Sequence, residues 1–262
     1  MKTYRHKHLR GKIKSLRPKT SIFKKRWFWI FALMTIILIG FFYTIFLSPI
    51  FKIKTVQIFG NEKISAEDMQ TLVWKNITFK NIFMVNTKTL KKNLSAGIIG
   101  IEDIEIQKEW FNSLRLQVTE RKPVAVFCQD NDNKNCYQID KNGVIYEKTD
   151  TVNSGYFIVR PFDVSEIKNL GEMAIAKNHM EAMIKIQQNL KDNFQINVRQ
   201  VFSSNPLVVT TTEGWKIYFN PEADIDLQIA KMNALLKNQI STGARKNLQY
   251  IYLQYKDRAY YK

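Results

Sequence analysis

The eighteen residues Lys108-Glu-Trp-Phe-Asn-Ser-Leu-Arg-Leu-Gln-Val-Thr-Glu-Arg-Lys-Pro-Val-Ala125 hold two strand signals, a turn and an exit. Leu114, Leu116 and Val118 alternate with Arg115, Gln117 and Thr119, the period-two pattern of a half-buried strand. Ile104 to Trp110 alternates as well, and Phe111-Asn112-Ser113 between the two runs has turn chemistry. The pair is therefore expected to be antiparallel, with Glu120 and Arg121 as a charged edge and Pro123 leading the chain out.

Upstream, Phe51-Lys-Ile-Lys-Thr-Val-Gln-Ile58 alternates in the same way, and Gly60-Asn61 turns the chain. Ser65 is placed to cap a helix beginning at Ala66. Glu67 and Asp68 suit its positive end, Ile64 and Met69 form a hydrophobic staple, and Met69, Leu72 and Val73 form its buried stripe. Leu90 and Leu94 at four-residue spacing after Asn86-Thr87 predict a second helix, ended by Gly97. The order from Phe51 is strand, helix, helix, strand, strand.

Downstream, Val124 to Phe127 and Cys136 to Ile139 flank the polar loop Gln129 to Asn135, as in a hairpin. Tyr137 to Tyr146 reads as a further hairpin, with Asp140 and Gly143 at its turn. Glu172 to Leu190 is expected to be a helix burying Met173, Ala176, Met180, Met183, Ile184 and Leu190. Phe194 to Phe202, Leu207 to Thr212 and Trp215 to Phe219 are expected strands, with Glu213-Gly214 as a tight turn. Asn220 is the expected cap of a helix whose Ile225, Ile229, Met232, Leu236 and Ile240 face the sheet. Leu248 to Tyr255 is a late strand, which Arg258 to Lys262 extends or pairs with. A sheet with flanking helices makes the class α+β.

The 262 residues carry 45% hydrophobic and 24% charged side chains, which excludes a wholly disordered polymer and a short disulfide scaffold. The formal net charge of +17 is unevenly placed. Residues 1–26 hold eleven Lys and Arg and no acid, leaving twenty-nine basic residues against all twenty-three acids, or +6, over the other 236. Beside this tail, Trp27 to Leu47 runs for twenty-one residues without a charge. As a helix it would extend about 31 Å, close to the ~30 Å hydrocarbon core of a bilayer. Its length and the bulky residues Ile45 to Phe51 argue against a cleaved signal peptide. With Lys and Arg concentrated before the span, the tail is expected in the cytoplasm and residues 48–262 outside it. The tail then reads as a topology determinant and not as a nucleic-acid arm.

The segments Phe51-x-Ile53-x-x-Val56-x-Ile58-x-Gly60-Asn61-x-x-Ile64-Ser65, Asn81-Ile82-Phe83 and Lys108 to Ala125 together resemble the POTRA domain of the FtsQ/DivIB family of bacterial cell-division proteins. Tyr137-Gln-Ile-Asp140-Lys-Asn-Gly143-Val-Ile-Tyr146 is a further family-like signature. The resemblance runs along the chain in order. It implies a basic cytoplasmic tail (1–26), a transmembrane helix (27–47), a POTRA domain of β-α-α-β-β order (51–121) and a β-rich domain with a terminal strand (122–262).

Candidate chemistry is sparse. His6 and His8 lie in the tail, and His179, mid-helix beside Met180 and Met183, is the one histidine beyond the span. A Ser-His-Asp or Cys-His site would have to use it, and a surface or boundary role fits it better. Asp224 and Asp226 suit a helix start, and neither they nor Glu102, Asp103 and Glu105 read as a catalytic pair. There is no phosphate-binding glycine motif. Asp130 to Asn135 begins like a calcium loop but has Lys134 and Asn135 where a ligand and a glycine belong, and Lys141 in place of the terminal Glu. Cys128 and Cys136 lack a nearby histidine to complete a zinc site. They read as a cross-strand disulfide or as two independent buried thiols, with the bridge favoured. No catalytic residue, cofactor or metal is expected.

The aromatic run Tyr250-Ile-Tyr252-Leu-Gln254-Tyr255, followed by Arg258-Ala-Tyr260-Tyr261, is the remaining surface of interest. An edge strand presents unpaired N–H and C=O groups to which a peptide can add. Tyr250, Tyr252, Gln254, Tyr255, Arg258 and Tyr260 are the candidate contacts. The other possibility is that these tyrosines pack on the preceding helix. In the FtsQ/DivIB family the end of the β domain docks the small bitopic proteins FtsB (DivIC in some lineages) and FtsL. That family often has an Asp and an Arg in this strand, where Tyr252 and Gln254 stand here. The resemblance implies a non-enzymatic scaffold in the plasma (inner) membrane at the division septum, binding other divisome proteins and no nucleic acid. The competing readings are a membrane-anchored cell-wall enzyme, a ligand-binding sensor, and a POTRA protein of outer-membrane assembly.

Overall fold

The computed structural model describes residues 26–110, 112–130, 132–150, 155–161 and 169–262. Apart from Arg26, the expected basic tail lies outside these residues, as do Phe111 of the expected turn and Asn131 of the polar loop. Helix α1, Arg26–Leu47, is long and apolar enough to cross a membrane and buries none of its residues in the protein. Its threonine hydroxyls are satisfied internally: Thr35 Oγ1 donates to Phe31 O at 2.8 Å and Thr44 Oγ1 to Gly40 O at 2.7 Å. In hydrocarbon, where no water offers a partner, that matters.

The next five elements are β1 (Thr55–Phe59), α2 (Ala66–Asn76), α3 (Thr87–Gly97), β2 (Ile101–Glu109) and β3 (Ser113–Glu120). They form a sheet of order β1-β3-β2, with β3 parallel to β1 and antiparallel to β2. The alternation seen in the sequence sets which face is covered. Leu114, Leu116 and Val118 are buried under Met69, Val73, Leu90 and Leu94 of the two helices. Ser65 caps α2 by accepting from Asp68 N, and Asn86 caps α3 by accepting from Lys88 N and Thr89 N. Gly60 has φ +81°, and a Cβ there would sit 2.4 Å from Val118 O, so only glycine fits the turn.

One expectation fails in this unit. The first strand begins at Thr55 and not at Phe51, because Pro49–Phe51 form a short 3-10 turn and Phe51 to Ile53 bond to the loop at Lys80 to Ile82. Gly97 ends α3 as expected, and Leu72 packs where its Cβ would stand.

The second sheet has nine strands: β4 (Ala125–Cys128), β5 (Cys136–Ile139), β6 (Ile145–Thr149), β7 (Phe157–Pro161), β8 (Val198–Ser203), β9 (Leu207–Thr211), β10 (Lys216–Phe219), β11 (Tyr250–Tyr252) and β12 (Tyr260–Tyr261). Their order is β12-β11-β10-β9-β8-β7-β4-β5-β6. Helices α4 (Lys177–Phe194) and α5 (Ile225–Asn238) cover one face. Met180, Met183, Ile186 and Leu190 of α4 and Ile229, Met232 and Leu236 of α5 share that core with Phe127, Val209, Trp215 and Ile251.

Here several boundaries differ from expectation, and Phe194, expected to open a strand, instead ends α4, with β8 starting at Val198. Helix α4 starts at Lys177, five residues after Glu172, and Met173 is exposed. The segment before it is held extended, with Ile145 N donating to Glu172 O and Ala174 N to Gly143 O. The cap of α5 is Asp224, which accepts from Asp226 N and Leu227 N, whereas Asn220 accepts from Glu222 N in a preceding turn. The late strand is three residues long, not eight, and Arg258 to Lys262 folds back to supply β12.

A polar joint links the two sheets. Glu120 ends β3 with its carboxylate accepting from the backbone N–H groups of Glu62, Lys63 and Ile64 at 2.7–3.0 Å. The next residue, Arg121, donates to Ile99 O and pairs with Asp140, whose side chain is 1% exposed. Asp140 also accepts from Asn142 N and Val144 N, each at 2.9 Å, in the β5–β6 turn. Gly143 of that turn has φ +80° and leaves no room for a Cβ beside Ile175 O. Thus the charged edge seen in the sequence anchors both sheets.

Candidate functional site

The nine-stranded sheet has two ends, and they are finished differently. At the β6 end, Gly171 N donates to Ile145 O and Ile145 N to Glu172 O, so a neighbouring segment occupies the start of that edge. At the other end, β12 pairs with β11 and is outermost among the described residues. Lys262 exchanges both backbone hydrogen bonds with Tyr250, Lys262 N donating to Tyr250 O and Tyr250 N to Lys262 O. In an antiparallel ladder alternate residues point inward, so the N–H and C=O of Tyr261 point away from the sheet. Those groups form the open edge.

The expected contacts are divided by this geometry. Tyr250 and Tyr252 lie in β11, which β10 and β12 flank on both sides, so their backbone is not an edge. Their rings stand on the face away from the helices, since Ile251 between them is buried in the core. Tyr252 packs against Tyr218 of β10 at 4.4 Å and Tyr250 at 4.7 Å between ring centroids, which rules out packing on α5 for these two. Burial against these neighbours pushes the Tyr252 hydroxyl above its ordinary pKa, so it stays a neutral donor at physiological pH.

Tyr255 and Tyr260 meet edge to face at 5.7 Å across the β11–β12 turn, and both remain about half exposed. Lys231 of α5 donates to the carbonyls of Tyr255 and Lys256 and so ties this turn to the helix. Gln254 Oε1 is buried without a hydrogen-bond partner among the described residues. Arg258 is exposed in the turn. Tyr218 belongs to the same surface and was missed, whereas Tyr261, paired with the core residue Ile251, puts its ring on the opposite face. Tyr218 is the outward residue of Ile217-Tyr218-Phe219, a parity readable from the sequence, but its neighbour in β11, Tyr252, is thirty-four residues away and in register only through a parallel pairing.

Elsewhere, Cys128 and Cys136 face each other in the β4–β5 pair and are joined by a disulfide, their Cα atoms 4.2 Å apart. Asp130 spends its carboxylate inside the loop, accepting from Lys134 N and from Asn135 N and Nδ2. His179 Nε2 lies 3.2 Å from Glu222 Oε1 at the surface. Among the described residues, no group of three or more His, Cys, Asp and Glu side chains is placed to hold a metal ion.

A parallel β1–β3 pair flanked by β2, with two helices over one face, defines the POTRA class for the first unit. Residues 51–121 match the family described as POTRA domain, FtsQ-type, and they are a domain of that type. Such domains are non-catalytic interaction modules, which points to a protein-interaction role in cell division. No curated protein matches the chain.

Proposed function

We propose that this protein is a single-pass membrane scaffold of the bacterial division machinery. Helix α1 crosses the plasma (inner) membrane with the basic tail in the cytoplasm, and the POTRA domain (51–121) and a second, β-rich domain (122–262) stand outside it. The asymmetry of charge about the span supports that orientation. A disulfide also belongs in an oxidising compartment.

The β-rich domain binds its partners by strand addition at β12. Its partners are FtsB/DivIC-like and FtsL-like bitopic proteins, and an extended segment of one of them pairs with the outward backbone of Tyr261. Tyr255 and Tyr260 add contact area at low entropic cost, and Tyr250, Tyr252 and Tyr218 continue the aromatic surface inward. The single observation that carries this reading is the open β12 edge beside a tyrosine cluster, on a chain that also holds an FtsQ-type POTRA domain. Depletion should give filamentous, undivided cells, and a tagged copy should collect at midcell. Normal division with uniform membrane labelling would contradict it.

A further inference from the structure

Three segments distant in sequence converge where the span meets the POTRA domain. Asn81 Nδ2 donates to Ile45 O at 2.7 Å and to Phe46 O at 3.1 Å, capping the last turn of α1. Ile82 N donates to Phe51 O, and Ile53 N to Lys80 O, which sets the Phe79 to Met84 loop beside the chain leaving the span. The β2–β3 turn arrives at the same end, because Lys54 N donates to Asn112 O.

This end is apolar and basic together. Trp110 is 86% exposed, Phe79 56%, and Phe83 and Ile50 55% each. Phe51 and Phe83 meet at 5.1 Å and line a shallow cavity with Ile82 and Trp110. Lys52, Lys54, Lys80 and Lys108 are exposed around it, and Glu109, the acid in this cavity, is held by Arg115 at 3.2 Å. Large exposed apolar patches are uncommon on water-facing domains, and Trp with Lys is the composition of a bilayer's headgroup zone.

Resting on the reading of α1 as a span, we propose that this end of the POTRA domain docks on the outer leaflet of the same bilayer. Trp110, Phe79 and Phe83 enter the headgroup region, and the four lysines meet anionic phosphates. Continuity with the span selects lipid as the occupant, because a domain hydrogen-bonded to the last turn of the membrane helix has its apolar end at the headgroup level. The contact fixes the tilt of the exported domains and hence the height at which β12 is offered.

The test uses the full chain in nanodiscs of anionic lipid brominated near the headgroup, comparing tryptophan emission with the Trp110→Phe variant. Wild type should show an extra component that bromine quenches and aqueous acrylamide does not, and that component should be lost in Trp110→Phe. Changing Lys52, Lys54, Lys80 and Lys108 together to Glu should also remove it in anionic discs. A Trp110 component open to acrylamide and untouched by bromine would overturn the proposal. Shielding of Trp110 only after a protein extract is added would also overturn it, by assigning the face to a protein. Trp27 and Trp29 serve as the internal control. If they are quenched while Trp110 is not, only the docking fails; if they too escape, the span reading fails.

Discussion

Two aromatic surfaces lie on the two different sheets' domains, and they are built from different side chains. Beside α1, Trp110, Phe79 and Phe83 stand with lysines, and the adjoining backbone of Phe51 to Ile53 is already bonded to the Lys80 to Ile82 loop. At β12 the aromatic residues are tyrosines, and the backbone of Tyr261 is open. Beside α1 the Phe51 to Ile53 backbone is taken and the exposed rings carry no hydroxyl, whereas at β12 hydroxyl-bearing rings surround an unpaired N–H and C=O to which a strand can add. On the proposed reading, lipid occupies the first and protein the second.

The largest effect expected is at the edge itself. Tyr261→Pro removes the outward N–H while leaving the inward bonds of Lys262 in place, so capture of a bitopic partner should weaken by about tenfold or more in a pull-down. Tyr261→Ala keeps the backbone and should cost less. Equal losses in the two would place the binding in the side chain and break the comparison.

Next in size, removing the Cys128–Cys136 disulfide should lower stability by roughly 2 to 3 kcal/mol in denaturant unfolding. Partner capture should persist, because the bridged β4–β5 hairpin lies across the sheet from β12. Equal thiol labelling of residues 48–262 before and after reduction would refute the bridge.

Glu120→Gln should cost about 1 to 3 kcal/mol, since an amide oxygen replaces a carboxylate that serves three backbone donors. Burial opposes ionisation of Glu120, but the N–H groups of Ile64, Lys63 and Glu62 prevail and hold its pKa below the ordinary glutamate value. Its stabilisation is therefore full above the unfolded-state value of about 4.5 and is lost as pH falls through the lower folded value. The Gln variant should lack this acid step in a pH series of unfolding midpoints. Smallest of all, Trp110→Ala should leave partner capture unchanged, and a loss there would merge the two surfaces into one.

The elements that rest on local chemistry were legible in the sequence. The apolar helix α1, the Ser65 cap and the alternation of β3 all depend on residues within one turn or one strand. The misread boundaries depend on distant contacts. Met173 fits a helical stripe, but bonds from Glu172 and Ala174 to the β5–β6 turn hold that segment extended. Asn220 and Asp224 are both good caps, and Gln228, which donates to Asn220 O and accepts from Asn220 N, commits Asn220 to the turn. At the candidate site the tyrosines were visible as a composition. That Arg258 to Lys262 folds back, and so moves the edge from β11 to β12, is set by a pairing no local pattern records. The salt link between Arg121 and Asp140 was hidden for the same reason: each reads as a turn or edge residue until the sheets are joined.

The most direct test of the central claim is photo-crosslinking in dividing cells from a benzophenone amino acid placed at position 261 and, separately, at position 110. The account predicts a discrete protein adduct from position 261 and none from position 110. Adducts from position 110 with none from position 261 would contradict it.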